Sequence, residues 1–459
     1  MTGSLCSRRR VRDRGRDRGP ARERDREILR LAVPAFLALV SEPLFLLADA
    51  AIVGHLGTAP LAGLGIAAAV LQTAIGLCVF LAYGTTAGVA RRLGAGDLRG
   101  ALTQGVDGLW LAVGIGAVVT VLGVLLADPL VHLFGASESV TEPAATYLRI
   151  AFLGTTPLLL MLAATGVLRG LQDTRTPLVV AVGGNVLNVV LNLLLVYPAG
   201  MGIAGSALGS VIAQVASAAA FLVVVARAAR AQGASLRPDL PGIRAAGRAG
   251  VPLVVRTLTL RAALLLTTYV VTLAATGARE QEVDLATHQL AMTLWTFLAF
   301  VLDAIAIAAQ ALTGRALGAG DVAAVRETTA RMVRWGALSG VATGLLLAAA
   351  SPVLGALFTG DGEVRDLLVP VLLVAALGQP VAGVVFVLDG VLIGAGDGVY
   401  LARAGLVTLV VYAPVALLLA AASAGLVAVW VCFAAVFMGA RLVVLGHRAR
   451  GDAWLVTGR

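Results

Sequence analysis

An all-α membrane protein is predicted: twelve transmembrane helices in two six-helix lobes related by a pseudo-two-fold axis along the membrane normal. Three observations predict it. The 459-residue chain is 59% hydrophobic and 13% charged, too little polar surface to keep a soluble protein of this size wet. Twelve apolar runs are long enough to cross a bilayer at ~20 residues per helix. The pentapeptide LGAGD at 93–97 recurs 224 residues later at 317–321, and other landmarks keep that offset.

Gly, Pro and charge clusters punctuate the runs. Spans at 31–56, 62–90, 101–127, 143–168, 177–197 and 203–228 form the first set of six, and spans at 250–277, 284–314, 323–350, 366–393, 399–421 and 425–446 the second. Span 1 follows an arginine-rich tail at 1–27, expected to be disordered and close to anionic lipid headgroups. It has no small-residue cleavage site and reads as a retained helix, not a signal peptide. Span 2 leads into span 3, and span 8 into span 9, through the two LGAGD copies. Each is a short turn whose glycines can take positive φ, an architectural element and not a substrate contact. Spans 4 and 10 end in GVLRGLQD and GVLIGAGD, aligning Gly166, Gly170 and Asp173 with Gly390, Gly394 and Asp397. Leu61-Ala62 matches Leu285-Ala286, and Leu133-Phe134 matches Leu357-Phe358, at the same spacing.

The chain therefore reads as a duplicated unit. Residues 28–228 make the N-terminal lobe, 229–248 a cytoplasmic linker, 249–446 the C-terminal lobe and 447–459 a cytoplasmic tail. Because six is even, both lobes enter the membrane the same way up. Folds of this kind hold their sites at depth and work by rocking one half against the other. Orientation follows from the arginines, since basic short loops stay cytoplasmic. Of the 35 basic residues, all arginine, 30 fall in the tail, in alternate loops or at the C-terminal end. A multi-pass protein of the plasma (inner) membrane with both termini cytoplasmic is expected.

Composition also excludes. The net charge of +9 is concentrated in a tail with acidic residues interleaved, which does not read as a nucleic-acid-binding arm. Three cysteines, Cys6, Cys78 and Cys432, give neither a disulfide framework nor a metal pattern. No HExxH, GxxxxGK[ST] or GxSxG occurs, so no enzyme, metal centre or cofactor is expected. A monomer is expected.

Charges inside the spans carry the functional reading, because a carboxylate at bilayer depth costs ~3 kcal/mol and needs a partner, a water cavity or a task. Glu42 and Asp49 lie in span 1, seven residues apart, so they share a face ~10.5 Å apart along the axis. Pro34 and Pro43 interrupt the same helix and give it places to bend. A carboxylate kept from water is a candidate proton carrier; pairing for structure is the alternative for both acids. Span 5 places Asn185, Asn188 and Asn192 on one face, either as interhelical glue or as the lining of a hydrated pocket beside Asp49. In the second lobe, Arg256 or Arg261 of span 7 is expected to pair with Asp303 of span 8. If Asp303 faces the central cleft instead, it would attract cationic substrate, with Trp295, Phe297, Gln310 and Asp389 as further contacts. His55 and His288 lie near the outer ends of their spans, where packing at the interface is the expected role.

Twelve spans, a parallel duplication and the span-1 string LAVPAFLALVSEPLFLLADAAIVGHLG resemble the multidrug and toxic compound extrusion (MATE) family, its DinF-like branch in particular. The likeness covers about residues 27–446. Its most specific element is Pro34, then Asp49, then VGHLG at 53–57. The resemblance implies that Asp49 is the proton-coupling carboxylate of the N-terminal lobe, that span 1 bends at Pro34, and that Asn188 belongs to the same polar cavity. Many relatives carry aspartate where this chain has Asn192, which puts Na⁺ coordination and any two-carboxylate scheme in doubt. The expected function is export of amphipathic, cationic organic compounds in exchange for protons by alternating access. Na⁺-coupled antiport, or a flippase for a lipid-linked or anionic substrate, is the alternative, and Arg256 with Arg261 give the anionic reading its footing.

Overall fold

A computed structural model describes the backbone of residues 18–458 and the side chains of residues 25–458. Twelve spans run through it: Asp25–Gly54, Thr58–Gly94, Leu98–His132, Glu138–Leu153 with Thr155–Gly170, Arg175–Val196, Gly202–Ala231, Leu240–Ala274, Ala278–Gly318, Val322–Phe358, Gly362–Gly394, Gly398–Ala421 and Leu426–Arg450. No strand occurs among the described residues. Span 4 is bent by 49° at Gly154, and span 12 contains a π-helical turn at Phe433–Phe437.

Two boundaries differ from expectation. The first helix begins at Arg18, so residues 18–27 are helical, and the rest of the expected disordered tail lies outside the described residues. Ion pairs dock this start. Arg331 Nε and Trp335 Nε1 of span 9 donate to Asp25 at 2.7 and 3.0 Å, and Arg315 pairs with Glu27 at 3.2 Å. The stretch expected as a linker is also largely helical, because span 6 runs to Ala231 and span 7 begins at Leu240. Asp239 sets that start by accepting the Gly242 N–H at 3.1 Å, with Pro241 in the first turn, where it costs no hydrogen bond.

The repeated LGAGD motif has a physical explanation letter by letter. Gly96 and Gly320 take φ of 75° and 74°, which L side chains rarely adopt. The chain then closes the helix end, with Asp97 N–H on Arg92 O at 3.0 Å and Asp321 N–H on Ala316 O at 3.1 Å, the Schellman arrangement. Each aspartate caps the next helix, Asp97 Oδ1 accepting from Gly100 N and Asp321 Oδ1 from Ala324 N, both at 2.8 Å. The first glycine serves the opposite lobe. A Cβ on Gly94 would strike the carbonyl of Arg315, and one on Gly318 would strike that of Arg91. The two copies thus pack against each other, each supplying the gap that the other fills. Asp397 and Asp173 close spans 10 and 4 the same way, on Leu392 O at 3.0 Å and Leu168 O at 2.8 Å. In the span-4 turn Gln172 takes the left-handed position at φ 64°, and its Oε1 accepts from Arg315 Nη1 at 2.7 Å.

The lobes meet mainly through spans 1, 2 and 3 of the first and spans 7, 8 and 10 of the second. Contact is concentrated on the Phe80–Gly94 half of span 2, while the Thr58–Leu77 half barely touches the second lobe. The lobes are therefore closed at the end that carries both LGAGD turns and apart at the far end. The C-terminal segment seals the closed end, with Trp454 buried, Arg91 Nη2 donating to Ala395 O at 2.7 Å and Val456 O at 3.0 Å, and Gly458 N–H reaching Leu317 O at 3.2 Å.

Candidate functional site

Span 1 stays helical through both prolines. Pro34 has no N–H for the carbonyl four residues back, Arg30 O, and the Thr174 hydroxyl donates to it at 3.4 Å. Near Pro43, Asn185 Nδ2 donates to Ser41 O at 3.0 Å. The carbonyl freed by Pro34 is thus met from outside the helix, and span 5 is tied to span 1 beside Pro43.

One turn and a half beyond Pro43, Asp49 is only 3% exposed. Its Oδ1 accepts from Ser206 Oγ at 2.5 Å and Asn192 Nδ2 at 2.9 Å, and its Oδ2 accepts from Tyr147 Oη at 3.2 Å. The donors come from spans 6, 5 and 4. A buried charge without a cation nearby survives only if its lone pairs are met, and three neutral donors meet those of Asp49. The layer continues with Asn188 Nδ2 on Ser210 Oγ at 2.8 Å and Tyr197 Oη on Ile52 O at 2.8 Å. Asn192 and Asn188 each keep a buried Oδ1 without a protein partner.

Span 6 permits this approach because its sequence is small where it faces span 5. A Cβ on Gly209 would run into the Asn192 amide, and one on Gly205 would meet Leu195 O at 2.7 Å. Ser206 and Ser210 stand beside these glycines, one turn apart. Neither serine nor Tyr147 is among the residues expected from sequence. The signal was present in GSALGS, where small residues recur every four positions as they do at close membrane-helix interfaces; Tyr147 carries no such mark.

Glu42 does not join this layer. It is exposed and has no hydrogen bond or ion pair among the described residues. Span 1 is buried at the level of Asp49 and more accessible at Glu42.

In the second lobe the expected pairing of Arg256 or Arg261 with Asp303 is replaced by another. Arg256 makes a two-pronged contact with Asp389 of span 10, and Arg441 of span 12 donates to Asp389 Oδ2 at 3.1 Å. Arg256 also lies over the Tyr83 ring of the first lobe at 5.7 Å. Asp303 sits in the field of Arg256, Arg169 and Arg441 without touching any of them. Asp389, on span 10, is the acid that the Arg256 guanidinium reaches, ahead of Asp303. Arg261 is exposed and lies across the lobe boundary beside Gly76. Gln310 is 2% exposed and donates to Tyr83 O at 2.6 Å, tying the lobes at the closed end. Trp295 packs edge-on against Phe386 and Phe433 at 6.4 and 5.4 Å, whereas Phe297 is 46% exposed on another face. The two do not form one aromatic wall beside Asp303. His288 is buried, shares a hydrogen bond with Thr268 at 3.1 Å and meets Trp430 edge-on; His55 is exposed and bonds only Ala51 O at 2.7 Å.

Known proteins carry the same organisation. The MatE family model matches residues 34–194 and 258–418, two segments whose starts and ends repeat the 224-residue offset of LGAGD. The chain is 32% identical to Protein DETOXIFICATION 44, chloroplastic, of Arabidopsis thaliana, covering 91% of this chain and 80% of that one. It is 31% identical to DNA damage-inducible protein F of Escherichia coli, covering 81% of each. Among solved structures, the MATE transporter VcmN of Vibrio cholerae in its bent form superposes with a TM-score of 0.84 at 21% identity, covering 94% of this chain and 98% of that one. With both lobes matched by one family model and full-length relatives above 30% identity, the chain belongs to the MatE family of multidrug and toxic compound extrusion transporters.

Proposed function

We propose that the protein exports amphipathic organic cations in exchange for protons, with Asp49 as the coupling group. The observation that carries the reading is the burial of Asp49 under three donors from three different spans. An ionised carboxylate accepts from all three, whereas a protonated one must donate at one oxygen. Protonation therefore forces Tyr147 or Ser206 to turn, and the contacts that fix span 1 to spans 4 and 6 change with charge. Span 1 has two proline-weakened turns between this layer and the closed end, so a change at Asp49 has a route to the lobe boundary. The arginine distribution supports a cytoplasmic closed end in the plasma membrane, which makes this arrangement outward-facing. A proton from outside would then load Asp49, lower drug affinity and release the cargo, and inward exposure would discharge it.

Na⁺ coupling is the second reading, favoured by the unpaired Oδ1 atoms of Asn188 and Asn192, which are oxygens of the kind that ligate hard cations. The deciding experiment is efflux of an organic-cation panel from proteoliposomes under an imposed pH gradient or an imposed Na⁺ gradient, for the wild type and Asp49→Asn. Proton-driven efflux lost in the variant supports the reading; undiminished efflux removes Asp49 from the mechanism.

A further inference from the structure

A second acidic site lies in the opposite lobe. Between spans 8, 10, 11 and 12, at the far end, is a cavity of about 1100 Å³. Its walls are apolar, with Leu367, Val415, Leu419, Leu426, Val431 and Val436 among them. The charges on its lining are Arg279, Glu280, Asp284 and Glu363, and three of the four are already engaged. Arg279 pairs with Asp361 at 2.7 Å and Glu363 at 3.0 Å, and its hydrogen bond holds the Asp361 carboxyl below the usual carboxylate range. Glu280 accepts from Thr276 N and Thr276 Oγ1 at 3.0 and 2.5 Å. Asp284 is left. It is 5% exposed, faces the cavity, and has no hydrogen bond or ion pair among the described residues.

The start of span 8 accounts for Glu280, which sits in its first turn, where acidic residues offset the helix dipole. It does not account for Asp284, which lies beyond that turn, out of reach of the free N–H groups. The Asp284 carboxyl opens on the cavity among apolar walls, where a cationic partner offsets the cost of holding its charge. The walls set its chemistry, since an apolar body gains by filling them and a compact metal ion would not. No group of three or more His, Cys, Asp or Glu side chains suited to a metal occurs among the described residues.

We propose that this C-terminal-lobe cavity binds a lipophilic organic cation, with Asp284 as its counter-ion. The site deepens the reading above by assigning the cation a place remote from Asp49. The two carboxylates stand at similar depth, five residues before the far end of span 1 and six after the start of span 8, or ~8 Å from the far end of each helix. One lobe then carries the proton and the other the cargo, so that the two ligands communicate through the rocking of the lobes without competing for one acid.

The test is equilibrium binding of tetraphenylphosphonium to the purified full-length protein in detergent, with no ion gradient. Because nothing is transported, failure of coupling at Asp49 leaves this result untouched. Asp284→Asn is expected to weaken binding at least tenfold while leaving binding of neutral triphenylphosphine oxide unchanged. Ala435→Trp, on an exposed part of the cavity wall, should weaken both ligands and keeps the test decisive if the Asp284 variant does not fold. Wild-type affinity for the phosphonium in either variant overturns the proposal.

Discussion

Asn192 donates its amide to Asp49 Oδ1 at 2.9 Å and leaves its own Oδ1 buried without a partner. Replacing it with aspartate would set two carboxylates at hydrogen-bond distance, where both cannot ionise together and one proton is shared. Asn192→Asp should therefore hold a proton that the wild type has released, and the alkaline limb of the efflux pH profile should move upward. Efflux measured between pH 5.5 and 9 checks this, and superimposable profiles would show that Asn192 does not sense the charge on Asp49.

The three donors to Asp49 favour its ionised form. Ser206→Ala and Tyr147→Phe each remove one without adding bulk, so the carboxyl should keep its proton to higher pH. The pH of half-maximal efflux is expected to rise in both variants. The larger change belongs to Ser206, whose 2.5 Å contact is shorter than the 3.2 Å contact of Tyr147. A fall in maximal rate with no movement of the pH profile would mean that these groups only hold the helices together.

How far the sequence discloses this site depends on the kind of residue. Asp49 and the asparagines stand out because lipid tolerates few such side chains, so their presence alone is informative. The twelve spans and the turns at Gly96 and Gly320 are legible for the same reason: hydropathy and backbone sterics act locally. Ser206 and Tyr147 are ordinary in a membrane helix, and their meaning comes from an approach of three spans that no local rule sets. Asp284 hides in another way, beside Glu280 and Glu282 at the head of a span, where charge is expected near headgroups. The pairing of Arg256 with Asp389 depends on the rotation of spans 7, 8 and 10 about their own axes, which apolar sequence leaves undetermined because every face of such a helix is hydrophobic.

Asp389 is 5% exposed and is shared by Arg256 and Arg441. Removing the acid from a buried cluster strands its cations, a loss of about 3–5 kcal/mol. Asp389→Asn should lower the thermal midpoint in detergent markedly, whereas Asp303→Asn, which breaks no direct contact, should lower it little. Equal midpoints for the two variants would contradict the assignment of Asp389 as the central acid.

Gly94 and Gly318 test the closed end. A Cβ at either position would meet a backbone carbonyl of the opposite turn, Arg315 O or Arg91 O, and backbone cannot rotate aside as a side chain can. Overpacking of this kind costs about 1–3 kcal/mol, and the strain is relieved only by separating the lobes where they now touch. Gly94→Ala with Gly318→Ala should therefore favour opening at the end that carries the LGAGD turns. A cysteine in place of buried Ala395, whose carbonyl holds Arg91 across the boundary, reports the change: thiol labelling should be severalfold faster in the double variant than in the same cysteine protein with both glycines retained. Unchanged labelling would mean that the two turns only close helices and do not hold the lobes shut.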